Sequence, residues 1–369
     1  MNVRVLAAAG VGIIVLGCIL ASRDLASMLA AVSTLGWQGA LGLVAWRSMP
    51  VGCCVLALWI LLPRRDRATL LASLQSRMTR DGVAALLPVL PAGGELIGAR
   101  VLTLAGIATT AAVAVQVVDL TLELIAQVGF SLVGVGAWLK VLPVAAFGGW
   151  SVLAIALPVL MVVGLRLMQH PTLMQRLATT ARRLVKHSVS APALAAAIHS
   201  LYASRGRVTA GLGLHFGGWI IGIGEAWFAL RWMGHPLSMV SVLVLEAVVF
   251  AVKGAAFAVP WSVGIQEGGY LALGVALGLP ADVAVSLALV KRLPDLVLGL
   301  PSLVWWQRVE QRIGHSAAST RFRCQRPGVK NRPFSINCGS LNPGIAVTES
   351  RRTPEPVRFS ASLDQHHCR

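Results

Sequence analysis

The sequence predicts an all-α protein, a polytopic membrane bundle of about six to eight helices that span or re-enter the bilayer. Of its 369 residues, 56% are hydrophobic and only 13% are charged, whereas about 25% of the residues of soluble domains are charged. Several apolar stretches are also long enough to cross a membrane as helices, which satisfy their own backbone hydrogen bonds.

The net charge of +17 fits this class, because the basic residues lie in loops beside the apolar stretches. Lys and Arg accumulate on the cytoplasmic side of membrane proteins, so we interpret the charge as topological. We expect no nucleic-acid partner, and only a weak attraction to anionic lipid headgroups. The six cysteines form no CxxC or Cys/His ligand pattern, so no metal or cofactor is expected.

The first half of the chain predicts two spans and then a broken segment. The apolar runs 5–21 and 39–62 are the spans, and residues 63–82, with five arginines, are predicted to be cytoplasmic. Residues 83–136 must then cross the membrane once, but they are too long for one helix. We therefore expect a re-entrant or broken segment around "PAGGELIGAR", residues 91–100, followed by one span.

The second half predicts four further spans around one basic loop. A span covers residues 144–165, and the basic, amphipathic residues 166–207 form the clearest cytoplasmic loop. The remaining spans cover residues 208–230, 239–259 and 283–306. This pattern predicts a multi-pass protein of the bacterial inner membrane.

The composition changes near residue 315. Residues 315–369 are rich in proline, serine and charge and lack helical periodicity, so they can bury little apolar surface. We interpret residues 1–314 as the membrane domain and residues 315–369 as a disordered tail. An unrelated or frame-altered extension is one explanation of the change.

The chain also contains a weak internal repeat, with halves around residues 83–127 and 255–299. At a constant offset of 172 residues the matched positions are Pro88 and Pro260, Glu95 and Glu267, Gly106 and Gly278, Asp119 and Lys291, and Glu123 and Asp295. Each half reads as a broken segment with a central Glu, followed by a helix with two charges. Paired interrupted segments point to a transporter binding site, and parallel and inverted repeats both remain open.

Charged residues in or beside the predicted spans are the candidate functional residues. An ionisable group at the bilayer centre costs roughly 3 kcal/mol or more, so these groups should pair or line water. Asp119 and Glu123 share a helix face, as do Lys291 and Asp295, and so do Glu246 and Lys253. The alternative reading is a set of buried ion pairs that only fix helix register.

Two carboxylates favour a functional reading. Glu95 and Glu267 each lie among glycines at a helix break, where the backbone is open to a ligand. His215 is better explained as a hydrogen-bonded histidine of the bundle than as a metal ligand. No nucleotide-binding, metalloprotease or nucleophile-elbow motif occurs in a fitting context.

Four motifs, in order, carry a family resemblance: "LLPVLPAGGELIGARVL", "VVDLTLELIAQ", "VGIQEGGYLALGVALGLP" and "LALVKRLPDLVLGLP". Over residues 1–313 the chain resembles the lysylphosphatidylglycerol synthase transmembrane-like family, and within it the hopanoid-biosynthesis-associated proteins of HpnL type. The resemblance implies a relative of lipid flippase domains. It lacks the soluble domain that attaches an amino acid to the lipid, so aminoacyl transfer is not expected.

We therefore predict a lipid transporter or flippase without enzymatic activity, for hopanoids or a related lipid such as a phospholipid. Its polar groove would pass the headgroup. The predicted path residues, partly carried over from the resemblance, are Gly94, Glu95, Arg100, Asp119, Glu123, Glu246, Lys253, Gln266, Glu267, Lys291, Arg292 and Asp295. The alternatives are a membrane enzyme that modifies a headgroup, with Glu95 and Glu267 as acid and base, and a scaffold that recruits lipid-biosynthesis enzymes.

Overall fold

The computed structural model describes residues 32–63, 65–86, 93–141, 159–160, 163, 190–255 and 264–324. Within these residues every regular element is a helix and none is a strand, so the all-α prediction is confirmed. The chain divides into two compact units, Met1–Ser316 and Ala317–Arg369. The site described below lies in the first unit.

Four helices form the first half of the described bundle: α1 (Gly36–Leu61), α2 (Arg67–Leu86), α3 (Gly93–Leu104) and α4 (Thr109–Val141). α2 begins at a side-chain cap, because Asp66 Oδ1 accepts the Thr69 backbone N–H at 2.8 Å. α3 has 12 residues and is therefore about 18 Å long, too short to cross a hydrocarbon core of about 30 Å.

Six helices follow: α5 (Ala191–Ala203), α6 (Arg205–Trp232), α7 (Met239–Ala255), α8 (Ile265–Ala276), α9 (Ala281–Val290) and α10 (Arg292–Cys324). Ser190 caps α5 through its hydroxyl, with a proline in the first turn. α8, like α3, has 12 residues and is too short to span the bilayer.

Two of the described helices are long and apolar enough to cross a membrane: Gly36–Leu61 and the Thr109–Trp138 part of α4. They match the predicted span 39–62 and the single span expected after "PAGGELIGAR". The predicted spans 208–230 and 239–259 coincide with α6 and α7. The predicted spans 5–21 and 144–165 fall mostly or wholly outside the described residues, as do residues 166–189 of the basic loop and most of the tail.

Two features of the structure correct the sequence prediction. The predicted span 283–306 is broken, because α9 ends at Val290 and α10 begins at Arg292. Residues 63–82, predicted as a basic cytoplasmic segment, contain most of α2, and its Arg77 and Arg80 are buried. The arginines at the start of the segment, such as Arg65, are exposed as expected.

The apolar core has two main parts that hold the helices of the site. One contains Leu58, Leu61 and Leu102 with residues of α4, and the other contains Leu230, Leu245 and residues of α8 and α9. α1 and α6 join the two halves by direct packing, since Trp46 Nε1 donates to the Ile221 carbonyl at 2.8 Å. The charged side chains described next lie between these apolar layers.

Candidate functional site: two ionic clusters and the cavity between them

The first ionic cluster joins α2, α3 and α4. Its members are Arg77, Arg80 and Asp81 of α2, Glu95 of α3, and Asp119 and Glu123 of α4. Two arginines thus face four carboxylates in a largely buried setting. Such a cluster has to be fully hydrogen-bonded, because an uncompensated buried charge costs several kcal/mol.

Glu123 is the centre of this cluster. Its carboxylate accepts two bonds from Arg77, at 2.7 and 3.1 Å, and one from Arg80 at 2.6 Å. Arg80 also donates to Asp119 at 3.1 Å and lies 3.5 Å from Glu95. Asp119 and Glu123 therefore share one face, as the spacing predicts, and the cations that hold them together come from α2.

A hydrogen-bonded chain extends the first cluster to α6 and α1. His215 Nε2 lies 2.9 Å from Asp119 Oδ1, and His215 Nδ1 lies 3.6 Å from Cys54 Sγ. This confirms the reading of His215 as a hydrogen-bonded histidine of the bundle. Ligand atoms of Cys54, Glu123 and His215 lie within 4.8 Å of one another. Each already has a protein partner, and two arginines hold Glu123, so we assign no metal to this group.

The second ionic cluster joins α1, α6, α7 and the junction of α9 with α10. Its members are Arg47, Glu225, Glu246, Lys291 and Asp295. Lys291 donates to Glu246 at 2.6 Å and lies 4.0 Å from Glu225. The second Glu246 oxygen accepts the Tyr270 hydroxyl at 2.6 Å. The break between α9 and α10 thus places a lysine ammonium beside two buried carboxylates.

Arg47 links the second cluster to α10. It donates to Glu225 at 3.3 Å and to Asp295 at 2.9 Å. Among the described residues, the buried Oε1 of Glu225 has no hydrogen-bond partner. A buried acceptor without a donor is costly, so this oxygen is a place where a hydroxyl or an ammonium group would be stabilised.

Glu267, the carboxylate within "VGIQEGGY", caps a helix. Its Oε2 accepts the Gly264 backbone N–H at 2.8 Å, and its Oε1 accepts Arg292 Nε at 2.7 Å. Arg292 Nη2 is equally near the same oxygen but lacks hydrogen-bond geometry. The side chain has no exposed surface. Glu267 therefore stabilises the start of α8, and its role in a lipid path stays a prediction.

A cavity of about 230 Å³ lies between the two clusters. Arg47 and Val51 of α1 contribute to its lining, with residues of α2 and α10; the rest are Arg77, Met78, Asp81, Gly82, Ala84, Asp295, Leu298 and Gly299. One arginine and one aspartate come from each cluster. The aspartate side chains are more open than the arginines, at 37% exposed for Asp81 and 35% for Asp295.

The sequence model of the family described as "Lysylphosphatidylglycerol synthase TM region" matches residues 5–301. The chain belongs to this family. A search of curated proteins and a search of solved structures each found no match. The match to the lysylphosphatidylglycerol synthase TM family covers both ionic clusters and the whole cavity lining, so the site lies within the family's membrane region.

The structure places the remaining predicted residues around these clusters. Lys253 donates to Gln266 at 2.7 Å, and Gln266 donates to the Ala288 carbonyl at 3.2 Å. Gly94 lets α3 approach α2, since a Cβ there would lie 2.7 Å from the Arg80 carbonyl. Arg100 donates to Glu310 of α10 at 3.0 Å, away from both clusters.

Two predicted pairings take other partners. Lys291 bonds to Glu246 and Asp295 bonds to Arg47, although the two residues are four apart in sequence. The helix break at Lys291 explains this, because the two side chains no longer follow one continuous helix. Lys253 likewise bonds to Gln266 rather than to Glu246.

Sequence reasoning missed Arg47, Arg77, Arg80 and Asp81, and left Glu225 outside the predicted path. The four residues of the family's cavity lining that carry charge include only one predicted residue, Asp295. A signal for α2 was present: Thr69, Ser73, Ser76, Arg77 and Arg80 recur at helical spacing, and all are buried. A polar stripe of that kind indicates a helix face turned toward other polar groups, even in a basic segment.

Proposed function

We propose that the protein carries the polar headgroup of a membrane lipid through the bilayer, by way of the cavity between α1, α2 and α10. The observation that carries the proposal is the cavity lining. Arg47, Arg77, Asp81 and Asp295 line one space of about 230 Å³ in a family whose members are membrane proteins. Transporter sites are built in this way, from charges on discontinuous helices.

The physical argument rests on the cost of a polar headgroup in hydrocarbon. A charged group at the bilayer centre costs roughly 3 kcal/mol or more. Both signs of charge line the cavity, and the partly exposed Asp81 and Asp295 can accept hydrogen bonds without leaving their arginines. A headgroup with hydroxyl or ammonium donors would therefore be stabilised there, while its apolar body stays in lipid.

The resemblance to hopanoid-associated proteins supports a hopanoid or a related lipid as the substrate. In this proposal the protein is an inner-membrane, multi-pass transporter and not an enzyme, and a phospholipid is the competing substrate. Lipid-biosynthesis enzymes are proposed as partners that supply the lipid. The membrane-enzyme and scaffold functions are alternative outcomes of the experiment below.

The experiment measures transbilayer movement in liposomes that contain the full chain. Labelled hopanoid and labelled phosphatidylglycerol are followed separately, with Asp295→Asn as the test variant. Asp295 loses a charge-assisted bond to Arg47, so we expect movement to slow about tenfold or more.

Asp282→Asn is the matched control, because Asp282 lies in the first turn of α9 and outside the cavity lining. It should move lipid at the rate of the unaltered protein. If neither lipid moves above the rate in empty liposomes, with the protein shown to be folded, the transport proposal is wrong. Product formation from the lipid would then support the enzyme alternative.

A further inference from the structure

The helices of the two halves begin at one constant spacing. Three pairs of helix starts are each 172 residues apart: Arg67 and Met239, Gly93 and Ile265, and Thr109 and Ala281. Helix starts depend on caps, turns and glycines rather than on overall hydrophobicity. The same spacing at three successive helices therefore indicates a repeated unit more strongly than sequence identity does.

The turns after α3 and α8 have the same geometry at the same spacing. Gly106 and Gly278 both adopt positive φ, at 84° and 92°. The next residue donates back across the turn in both cases, Ile107 to the Leu102 carbonyl at 3.2 Å and Leu279 to the Gly274 carbonyl at 2.8 Å. This is the Schellman pattern that ends a helix on a left-handed glycine.

The caps of α2 and α7 also correspond. Asp66 accepts the backbone N–H of Thr69 before α2, and Ser238 accepts the backbone N–H of Ser241 before α7. Both pairs are again 172 residues apart. In each half one helix end, one short helix and one glycine turn thus recur in the same order.

The equivalent helices α1 and α6 pack against each other in opposite directions. Gly42 lies against Phe228, Trp46 bonds to the Ile221 carbonyl, and Cys54 contacts His215. Residue numbers therefore rise along α1 as they fall along α6. Since α1 and α6 are also equivalent helices of the repeat, a two-fold axis through their contact relates the two halves.

We infer that the two halves form an inverted repeat about this axis, and that the charged cavity has a counterpart in the other half that opens when the cavity closes. The second part rests on the proposed lipid path, and the first part does not. The arginines agree with opposite insertion. Arg65 and Arg67 follow α1, while Arg205 and Arg207 begin α6, so both groups can lie on the cytoplasmic side.

The offset assigns the counterpart to the space between α4, α6 and α7. Asp81 corresponds to Lys253, Asp295 to Glu123 and Met78 to Phe250. The contacts correspond as well: the Met78 carbonyl accepts the Ser302 hydroxyl of α10, and the Phe250 carbonyl accepts Gln127 Nε2 of α4, both at about 3 Å. The two interfaces are thus built on the same register.

The counterpart is closed by aromatic side chains in this structure. Trp219, at the position equivalent to Arg47, packs edge-on against Phe250 with ring centroids 4.9 Å apart, and Phe130 stacks on Trp219 at 5.6 Å. Lys253 lies over the Phe250 ring at 5.0 Å. One half therefore holds an open, charged cavity where the other holds packed rings, as expected of one state of an alternating pair.

The first experiment tests the inverted arrangement without any transport assay. Arg65→Cys places a thiol in the turn between α1 and α2, and Pro236→Cys places one in the corresponding turn between α6 and α7; both positions are exposed. A membrane-impermeant maleimide is applied to intact cells and to inverted vesicles. Peptide mass spectrometry then separates these sites from native cysteines. We expect labelling from opposite sides, and labelling of both from one side would overturn the inverted repeat.

The second experiment tests the second opening with two reciprocal variants. Met78→Phe gives the cavity the ring that its counterpart has, and Phe250→Met does the reverse. The reporters in proteoliposomes are Ala84→Cys, which lines the cavity, with an impermeant maleimide, and the native Lys253 amine with an impermeant succinimidyl ester. Denatured protein defines complete labelling for both reporters.

We expect Met78→Phe to lower labelling at Ala84→Cys and to raise it at Lys253, and Phe250→Met to have the opposite effect at the cysteine. A population shift of ~1.4 kcal/mol would change each labelling rate about tenfold. The two reporters should react from opposite sides of the membrane. The melting temperature of each variant, compared with that of the unaltered protein, shows whether it is folded.

Lipid movement is measured in the same proteoliposomes, so the two proposals fail separately. Lipid that moves while Lys253 stays unreactive in every folded variant would overturn the second opening and leave the transport proposal intact. Reciprocal labelling without lipid movement would support the two openings and contradict transport of the lipid tested.

Discussion

At the residue scale, the charged groups of the site hold one another in place. Glu123 accepts three bonds from two arginines, and Lys291 lies between two buried carboxylates. Forming such pairs adds little stability compared with apolar packing, but removing one partner costs about 3–5 kcal/mol. Each charge in the clusters therefore depends strongly on its partners.

Glu123→Gln should lower the free energy of unfolding by about 3–5 kcal/mol, because Arg77 and Arg80 would remain buried without their main acceptor. Thermal unfolding in detergent measures the change. Glu310→Gln is the matched control: it breaks a partly exposed pair with Arg100 and should cost ~1 kcal/mol or less. Equal losses in the two variants would show that Glu123 is no more important than a surface charge.

At the scale of helices, glycine turns and breaks determine where each element ends. The glycines of "PAGGELIGAR" and "VGIQEGGY" predict broken segments, and the structure begins α3 at Gly93 and places Gly264, with φ of 78°, before α8. The break at Lys291 was not predictable, because "LALVKRLPDLV" has continuous helical propensity. There the second cluster holds the lysine, which is a tertiary effect invisible to local sequence patterns.

Gly278→Ala should destabilise the protein by about 1–2 kcal/mol, because a Cβ is unfavourable at positive φ. Gly213→Ala provides the comparison, since an added Cβ there meets nothing within 4 Å on the helical backbone of α6. That variant should be neutral or more stable by up to about 1 kcal/mol. Thermal unfolding of both variants measures the difference, and a stabilised Gly278→Ala protein would contradict the assigned turn.

At the scale of the whole molecule, composition was enough to predict the membrane bundle, whereas the site required the tertiary structure. Long apolar runs predicted α1, α4, α6 and α7, because burial in lipid depends on length and hydrophobicity alone. The excess of arginine in residues 63–82 favoured a cytoplasmic position. The carboxylates of α4 and α3 that bury Arg77 and Arg80 are distant in sequence, so no local pattern could reveal that burial.

Asp81 and Asp295 should act on lipid movement as one unit, because both line the same cavity. We expect the effects of Asp81→Asn and Asp295→Asn on the rate to be non-additive in the double variant, with a coupling free energy above about 0.5 kcal/mol. Reconstituted transport of the preferred lipid measures the cycle. Additive effects would show that the two carboxylates contact the lipid independently or not at all.

The contact between α1 and α6 also has a consequence for the history of the chain. A helix that packs on its own equivalent across a two-fold axis makes the contact of a homodimer. An ancestor with one half could thus have worked as two copies inserted in opposite orientations. Once the copies were fused, corresponding positions no longer had to keep the same charge. Asp119 and Lys291, of opposite sign at one offset, are a divergence that a homodimer could not have carried.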